Sequence, residues 1–328
     1  MKTAKKILAV LLALTLICGT FAACGGNEEP KDDGKYKIGV VQLLPHEALD
    51  AATKGFMDAL KEKLGEENVE FDVQYGGGEK TNCTTIVSKF ISDEVDLIMA
   101  NATDALAAAA EGTDTIPVVA TSITDYATAL GMKDWTGKTG FNVTGTSDLA
   151  PLDQQAAMIK ELVPDAEKVG IIYCSSESNS KYQSDKITEY LIKLGYKAEN
   201  IKTYTFTDTN DITAVTQNAV AESDVIYIPT DNKAADNTEA INNVAEPAGV
   251  PIIAGEAGIC KGCGIATLSI SYYDLGYKTG EMAYEILVNG ANPAEMEIEM
   301  AATSTKQYVA DRAKALDIAI PEGYTAME

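Results

Sequence analysis

Short continuous apolar runs alternate along most of this chain with longer segments in which apolar residues recur at helical spacing. A short apolar run between turn residues indicates a strand buried on both faces, and the periodic segments indicate helices. In the first half, this pattern predicts strands at residues 37–42, 69–75, 96–100 and 117–121 and helices at residues 48–64, 81–92 and 103–111.

The same alternation starts again after residues 141–145 and fills the second half. It predicts helices at residues 152–162, 180–194, 211–222, 232–248 and 306–316 and strands at residues 168–173, 202–206, 224–228 and 251–254. Strands that alternate with helices form parallel βαβ units. Two such series predict an α/β fold with two Rossmann-like, doubly wound lobes.

The N-terminal segment has the pattern of a secretion signal. Three lysines precede an apolar run at residues 7–17, which is too short to span a bilayer. The small residues before Cys24 resemble a bacterial lipobox, with Phe21 where leucine is usual. We therefore expect a signal peptide at residues 1–23, a flexible linker at residues 24–35 that is lipidated at its cysteine, and an extracytoplasmic protein anchored to the cell membrane. Ordinary cleavage would instead release a free secreted protein.

The charge balance restricts the partners of the chain. Its 328 residues include 49 acidic and 26 basic ones, which gives a formal net charge of -23. An anionic surface repels phosphate backbones, so this composition argues against binding of nucleic acid. Arg312 is the only arginine. An anionic ligand would therefore be held by backbone N–H groups, hydroxyls or lysine, because the bidentate guanidinium group is nearly absent.

Polar residues follow most of the predicted strands. Ligands of parallel sheets bind beyond the carboxyl ends of the strands, where helix N-termini and free N–H groups converge. The loops at these positions are rich in hydroxyls, amides and carboxylates, which suits a small polar ligand held between two lobes. The candidate ligand-binding residues in these loops are Gln42, Pro45, His46, Thr103, Asp104, Ser122, Thr124 and Asp125 in the first lobe and Glu177, Asn179, Thr230, Asp231, Asn232 and Glu256 in the second.

The same loops lack the motifs of common catalytic and cofactor sites. His46 is the only histidine, so a catalytic triad or a histidine metal site has no partners, and no Gly-x-Ser-x-Gly elbow is present. Residues 76–78 are three glycines without dinucleotide or P-loop spacing, which indicates a flexible turn. We expect no cofactor, no metal and no enzymatic activity.

Cys260 and Cys263 form a Cys-x-x-Cys pair. In an extracellular protein such a pair can close a local disulfide, and in a thioredoxin-like setting it is redox-active. The pair does not open a helix after a first strand, and a second Cys-x-x-Cys for zinc is missing. We expect a structural turn whose two thiols are either reduced or bridged.

Four separated motifs resemble one protein family. They are VVQLLPHEALDAATKGF at residues 40–56, FNVTGTSD at 141–148, IPTDN at 228–232 and SYYDLGYKTGEMA at 271–283. Over residues 36–289 the chain resembles the substrate-binding lipoproteins of bacterial ABC transporters for tryptophan and tyrosine. The resemblance implies a type I periplasmic-binding-protein fold, in which a hinge closes two lobes over the ligand. It also implies an ABC permease and its ATPase as partners.

The resemblance further implies how the chain is divided. The expected passages between the lobes lie near residues 145–148, 269–273 and 292–299. The expected domains are residues 36–147 plus 270–292 for the N-terminal lobe and residues 148–269 plus 293–328 for the C-terminal lobe. We expect this receptor to be a monomer.

An amino acid ligand needs neighbouring seats for a carboxylate and an ammonium, and a slot for its side chain. Hydroxyls and N–H groups for the carboxylate belong to Thr103, Asp104, Ser122 and Thr124. Carboxylates for the ammonium belong to Glu177, Asp231 and Glu256. An aromatic ring can be flanked by Pro45, His46 and either Tyr272 or Tyr273. We therefore expect an amino acid of the tryptophan or tyrosine type.

Simpler explanations of these residues stay open on sequence grounds. Thr103 and Asp231 can cap their helices, the two tyrosines can pack at the hinge, and the carboxylates can be solvated. Another small polar solute, such as a nucleoside, would suit the same loops. A two-domain secreted α/β enzyme using Glu177 or Asp231 as acid or base is a further alternative. The secretion signal, the single histidine and the missing cofactor motifs all argue against it.

Overall fold

The computed structural model describes residues 34–327, so the predicted signal peptide, Cys24 and most of the predicted linker lie outside the described residues. Two sheets form the centres of two α/β lobes. The strands of the first sheet are β1 (Tyr36–Gln42), β2 (Val69–Tyr75), β3 (Leu97–Asn101), β4 (Val118–Ile123), β5 (Val143–Ser147) and β11 (Glu299–Met300). Their order is β11-β5-β4-β3-β1-β2, and neighbouring strands are parallel.

The second sheet has an antiparallel pair at one side. Its strands are β6 (Val169–Cys174), β7 (Ile201–Phe206), β8 (Val225–Ile228), β9 (Ile252–Ala254), β10 (Ala266–Ser269), β12 (Thr305–Tyr308) and β13 (Thr325–Ala326). Their order is β13-β12-β10-β9-β8-β6-β7, with β12 antiparallel to β10. The predicted α/β fold with two doubly wound lobes is confirmed.

Helices cover both faces of each sheet. Those between the strands of the first sheet are α1 (Glu47–Leu64), α2 (Lys80–Ser92), α3 (Thr103–Gly112) and the short α4 (Tyr126–Ala129). Those of the second lobe are α5 (Leu152–Leu162), α6 (Ser178–Lys193), α7 (Ile212–Glu222), α8 (Asn232–Ala235), α9 (Thr238–Ala248), α10 (Ala257–Cys263) and α12 (Ala310–Ala315). The remaining long helix, α11 (Tyr272–Asn289), packs against α1.

Continuous apolar runs produce strands that are buried on both faces. Every residue of β3 and β4 is buried, and so is every residue of β6 and β8. Separate apolar clusters lie on the two faces of each sheet, which is why neither face of these strands shows a polar alternation.

Glycines allow α1 and α11 to approach closely. A Cβ atom at Gly55 would collide with the backbone of Tyr273, and one at Gly276 would collide with the backbone of Ala52. This packing fixes α11, which begins directly after β10 of the second sheet, on the first lobe. Helix α11 therefore follows a strand of the second sheet and packs tightly against α1 of the first lobe.

Two of the predicted helices and one predicted passage between the lobes differ from the structure. The helix expected at residues 232–248 is divided into α8 and α9, and the first part of the helix expected at residues 306–316 is strand β12. Strand β11 pairs with β5 in the first sheet, whereas β12 pairs with β10 in the second. The third passage between the sheets therefore falls at residues 301–304 and not near residues 292–299.

No helix among residues 34–327 combines the length and the apolar character that crossing a membrane requires.

Candidate functional site

The lobes touch where the carboxyl ends of the parallel strands of the two sheets face each other. Within residues 34–327, the side-chain contacts across this junction include His46 Nε2 to Asn232 Oδ1 at 3.2 Å, Gln183 Nε2 to Thr124 Oγ1 at 3.4 Å, Lys233 Nζ to Glu79 Oε1 at 3.3 Å and Lys261 Nζ to Glu47 Oε1 at 3.7 Å. These contacts describe a closed arrangement of the lobes. Most of the residues involved follow strands of their own sheet, as the sequence pattern predicted.

Ser122, at the end of β4, has the strongest local sign of a ligand-binding role in the first lobe. Its side chain is 6% exposed, and its Oγ has no hydrogen-bond partner among the described residues. Its φ of 59° lies in the left-handed region, as does the φ of 87° at Ala102 on the neighbouring strand end. Residues held in such conformations cluster at functional sites, and an unpaired buried hydroxyl is costly unless something else bonds to it.

Helix α3 begins beside Ser122 without a side-chain cap. The preceding residue, Ala102, has no capping group, and its N–H donates to Thr121 of β4 at 3.1 Å. Thr103, the first helical residue, is 6% exposed. The sequence left open whether this threonine is the cap, and the structure shows that the cap position belongs to Ala102. The uncapped first turn therefore keeps N–H groups that an anion can use.

Asp104 lies in the first turn of α3 and faces the second lobe. Burial raises the pKa of this carboxyl group, and the charge of Glu177 on the opposite lobe raises it further, whereas the charges of Lys80 and Lys233 lower it in part. No hydrogen bond within residues 34–327 reaches the Asp104 carboxylate, although the side chain is half-buried. A positive group placed between Asp104 and Glu177 would remove this unfavourable pairing.

Glu177 is the centre of a hydrogen-bond network in the second lobe. Its carboxylate accepts bonds from Asn232 N at 3.0 Å, Asn232 Nδ2 at 2.7 Å and Lys233 N at 3.0 Å, so it holds the start of α8. Burial, followed by the neighbouring charge of Asp231, raises the pKa of Glu177 to about 7. Asn179 also donates to Glu177, at 3.3 Å. These hydrogen bonds hold the Glu177 carboxylate in place on the side of the second lobe that is nearest to Asp104.

Asp231 and Glu256 are engaged by backbone N–H groups of their own lobe. Asp231 accepts from Cys174 N at 2.6 Å and Ala234 N at 2.8 Å, and Glu256 accepts from Gly258 N at 2.6 Å and from Ile259 N. Burial raises the pKa of Asp231, and it raises that of Glu256 to about 7. Asp231 therefore caps α8 and Glu256 caps α10 in this structure.

The loop between β8 and α8 is clamped by side chains of α6. Asn179 Nδ2 donates to Thr230 O at 3.0 Å, and Gln183 Nε2 donates to the same oxygen at 3.1 Å. Gln183 Oε1 accepts from Thr230 N at 3.2 Å. Gln183 also reaches Thr124 in the other lobe, yet the sequence did not single it out. It lies beyond the first turn of a helix, so a search of strand-end loops overlooks it.

Asp148 is a second residue that the sequence did not select. Its carboxylate accepts from Tyr272 OH at 2.9 Å and from Thr124 Oγ1 at 3.2 Å, and burial raises its pKa to about 6. Its position in the FNVTGTSD motif, directly after a buried strand, was the available signal. Tyr272 is thus at the junction, whereas Tyr273 bonds to Asp58 at 2.9 Å on the outside of the first lobe.

His46 joins the lobes through a defined hydrogen bond. Asn232 uses its Nδ2 to donate to Glu177, so its amide oxygen faces His46. Burial lowers the pKa of His46, so the ring is neutral at physiological pH and carries its proton on Nε2. This leaves Nδ1 of His46 as an acceptor. Pro45 beside it is exposed.

Two further candidates are bonded within the first lobe. Gln42 donates to Leu44 O at 2.9 Å and to Asp50 Oδ1 at 2.7 Å, and it accepts from Thr53 Oγ1 at 2.6 Å. It thereby ties the end of β1 to α1. Asp125 accepts from the N–H of Thr128 at 2.7 Å and caps α4. Gln42 and Asp125 thus stabilise the loops of the site through hydrogen bonds within the first lobe.

Comparisons with known proteins bear on the family and fold of this chain. A model of the ABC transporter substrate-binding protein family matches residues 37–327. The chain belongs to this family. A tyrosine-binding protein of Clostridioides difficile is 36% identical over 294 residues, which are 86% of this chain and 84% of that protein. An ABC domain from Streptococcus pneumoniae in complex with L-Trp has a TM-score of 0.84 at 30% identity, covering 89% of this chain and 100% of its own.

A third relative bears on the conformation of this substrate-binding protein. The ligand-free, open structure of a substrate-binding protein with adhesive properties from Clostridium difficile has a TM-score of 0.68 at 35% identity, covering 89% of this chain and 99% of its own. The protein therefore matches the L-Trp complex better than the open relative, although its sequence is closer to the latter. The contacts between the lobes agree with this preference. The predicted family and fold are confirmed.

The Cys-x-x-Cys pair of this substrate-binding protein lies in helix α10, and not in the turn that was expected. Cys260 and Cys263 are free thiols and are buried. Burial raises the pKa of the Cys263 thiol to about 12, which disfavours the reactive thiolate. Among residues 34–327, no group of three or more His, Cys, Asp and Glu residues is arranged to hold a metal ion.

Arg312, the single arginine, is bonded at the C-terminal end of α10. Its guanidinium donates to the carbonyl oxygens of Cys260, Lys261, Gly262 and Gly264 at 2.7 to 3.1 Å. The arginine thus satisfies carbonyl groups that the helix end leaves free. The expectation that backbone N–H groups, hydroxyls or lysine receive an anionic ligand stays a prediction.

Proposed function

We propose that this protein is the extracytoplasmic receptor of an ABC importer and binds an aromatic α-amino acid, of the tyrosine or tryptophan type, between its lobes. The tyrosine-binding relative and the L-Trp complex support this ligand class. The receptor would pass its ligand to a permease driven by an ATPase. Its action needs binding and release and no catalytic step.

The observation that carries this proposal is the pair of complementary polar groups at adjoining strand ends. Ser122 offers a buried hydroxyl without a partner, and the uncapped start of α3 lies beside it. Asp104, one residue into that helix, is a carboxylate without a hydrogen bond within residues 34–327. A carboxylate on Ser122 and Thr103 and an ammonium between Asp104 and Glu177 would satisfy both ends of an amino acid.

The ligand side chain would extend toward the junction of the lobes. The neutral ring of His46 provides a flat face and a free acceptor at Nδ1, and Pro45 adds an apolar surface. Tyr272 lies at the second passage between the lobes, where its hydroxyl bonds to Asp148, and its ring could contact the ligand side chain. An indole N–H or a phenol hydroxyl is a donor that suits the histidine acceptor. Among the remaining candidates, Thr124, Asp125, Asn179, Thr230, Asn232, Gln42, Asp231 and Glu256 would shape the site and hold its loops.

Closure of the lobes would couple binding to transport. A ligand shifts the equilibrium toward the closed state only as far as it binds that state more tightly than the open one. Closure brings Asp104 near the carboxyl group of Glu177, which raises the pKa of Asp104, and the charges of Lys80 and Lys233 offset part of this effect. The ligand ammonium would therefore favour closure directly. We propose that the protein acts as a monomer, tethered by lipid at Cys24 after removal of residues 1–23.

The experiment that tests the proposal is a ligand screen on the purified protein. Thermal shift is measured with each common amino acid and with a set of nucleosides, and hits are quantified by calorimetry. A ligand at 100 times its Kd stabilises the folded state by about 2.7 kcal/mol. Stabilisation by tyrosine or tryptophan, with none by nucleosides, is the expected result. Stabilisation by nucleosides alone, or by no ligand, would contradict the proposal.

A further inference from the structure

The hydroxyl of Tyr126 contacts β4, the strand that also carries Ser122 of the proposed carboxylate site. The tyrosine side chain is 2% exposed, and its hydroxyl lies 3.0 Å from the carbonyl oxygen of Ala120 and 3.1 Å from that of Thr146. The first carbonyl belongs to β4 and the second to β5. The hydroxyl therefore bonds to both strands of one pair without belonging to either.

The two strands contain an irregularity at this point. Ala120 pairs with Gly145 and Ile123 pairs with Ser147, so β4 has one residue more than β5 between these pairs. Such a β-bulge interrupts the ladder of backbone hydrogen bonds, and bulges are often placed beside functional sites. The single proton of the Tyr126 hydroxyl is shared between these two carbonyl oxygens at the interrupted segment, and it thereby takes over part of the lost bonding.

Ser122 lies in the bulged segment. Its φ of 59° is a strained conformation for a non-glycine residue, and it persists only where the surroundings impose it. The space beneath the bulge is also tightly filled, because a Cβ atom at Gly145 would collide with Ala120 O and approach Tyr126 OH. The tyrosine and the bulge therefore fit each other closely.

The ring of Tyr126 is itself held in place. Trp135 stacks on it with ring centroids 6.2 Å apart and an angle of 14° between the planes. Asp125 caps the short helix that begins with the tyrosine. The hydroxyl thus has a fixed position from which to support the bulge.

We infer that Tyr126 is a positioning residue for ligand binding: by joining β4 and β5 across the bulge, it holds the Ser122 hydroxyl where the ligand carboxylate binds. This inference rests on the proposed function, since it takes Ser122 as a contact of that carboxylate. Tyr126 itself does not touch the ligand. Its contribution to affinity passes through Ser122.

A double-mutant cycle in the whole chain tests this coupling. The Kd of L-tyrosine and of L-tryptophan is measured by calorimetry for wild type, Y126F, S122G and the double variant. Glycine removes the Ser122 hydroxyl and tolerates the positive φ, so S122G adds no backbone strain. We expect each single variant to weaken binding about tenfold, as for loss of a hydrogen bond to a charged group, and the double variant to be no weaker than S122G. Y277F is the matched control, because Tyr277 OH bonds to Glu62 on the surface.

Two results of the binding cycle would overturn the inference. One is full affinity in Y126F, and the other is a double variant in which the two effects multiply to about a hundredfold. Hydrogen exchange gives a test that needs no ligand: the amides of residues 121–123 should exchange faster in Y126F than in wild type or Y277F. Unchanged exchange would also overturn the inference. Failure of wild type to bind either amino acid would instead count against the proposed function, with the exchange result still deciding the role of Tyr126 in the bulge.

Discussion

The hydroxyl of Tyr272 donates a 2.9 Å hydrogen bond to Oδ2 of Asp148, and both side chains are buried. Asp148 follows β5 on the first passage between the sheets, and Tyr272 begins α11 after the second passage. Thr124, at the binding edge of the first lobe, donates to the other oxygen of the same carboxylate at 3.2 Å. One buried carboxylate therefore joins two passages between the lobes to the candidate site.

This carboxylate makes stability depend on pH. Burial raises the pKa of Asp148 to about 6 in the folded protein, against about 3.9 in an unfolded chain. Folding therefore strengthens proton binding, so the associated stability is complete below about pH 4 and is lost as the pH rises through about 6. We expect Asp148→Asn to reduce the fall in the thermal midpoint over this window, measured by calorimetry. Each unit of pKa difference corresponds to about 1.4 kcal/mol.

The matched control is Asp134→Asn, which removes an exposed carboxylate of the first lobe. Its pH profile should equal that of wild type. Burial also raises the pKa values of Glu177 and Glu256 to about 7. These two groups therefore also lower the stability as the pH rises, so the thermal midpoint of Asp148→Asn should still fall with pH, but less than that of wild type. A profile identical to wild type in Asp148→Asn would show that this residue does not carry the dependence.

Asp104 should distinguish ligands by their amine. L-tyrosine is compared with 3-(4-hydroxyphenyl)propionate, which lacks the ammonium group. Asp104→Asn should weaken L-tyrosine binding about tenfold or more and leave the propionate unaffected, because only the former loses a charge-assisted bond. The unliganded variant should also melt at a higher temperature, since burial and Glu177 both disfavour the charged form of Asp104. Asp114→Asn, at an exposed position after the same helix, is the control. Equal weakening of both ligands would contradict this role.

The fold followed from the sequence because buried parallel strands are continuous apolar runs. The predicted and observed bounds of β2 are the same, and those of β1 differ by one residue. Strand β11 was missed because its two residues are exposed and carry no apolar pattern. Strand β12 was taken for helix because its pairing with β10 is a tertiary contact that overrides a weak local preference.

The candidate site followed from the sequence only in part. Strand ends predicted which loops meet, and His46, Thr124 and Asn232 do lie at the junction. The role of each carboxylate depends on which backbone N–H groups fold against it; the sequence offered capping as an alternative for Asp231 but did not offer it for Glu256. The left-handed conformation of Ser122 was equally hidden, because serine has no preference for it.

The ion pair between Glu79 and Lys233 should favour the closed state. It crosses between the lobes at 3.3 Å, with Lys233 largely covered and Glu79 exposed. An exposed pair is worth at most about 1 kcal/mol, so Glu79→Gln should weaken ligand binding by up to about fivefold at low salt and less at high salt. Calorimetry at two salt concentrations measures the effect. Glu222→Gln breaks the pair with Lys202 inside the second lobe and should leave affinity unchanged. A salt-independent loss in Glu79→Gln would show that the pair does not act by its charge.

Arg312 should protect the thiols of α10 by holding the end of that helix. Arg312→Lys keeps the charge but loses the planar fork that bonds several carbonyl oxygens at once, so the free energy of unfolding should fall by about 2 kcal/mol. Fraying of the helix end would expose Cys263, and alkylation followed by mass spectrometry should label this residue faster than in wild type. Affinity for the ligand should stay unchanged, since the hydrogen bonds of the arginine within residues 34–327 all go to carbonyl oxygens of its own lobe. Lys314→Met, at an exposed position of the same helix as Arg312, should match wild type in both measurements. If Arg312→Lys lowers the free energy of unfolding but leaves the labelling of Cys263 unchanged, the arginine stabilises the protein without protecting the thiols. That result would contradict the prediction.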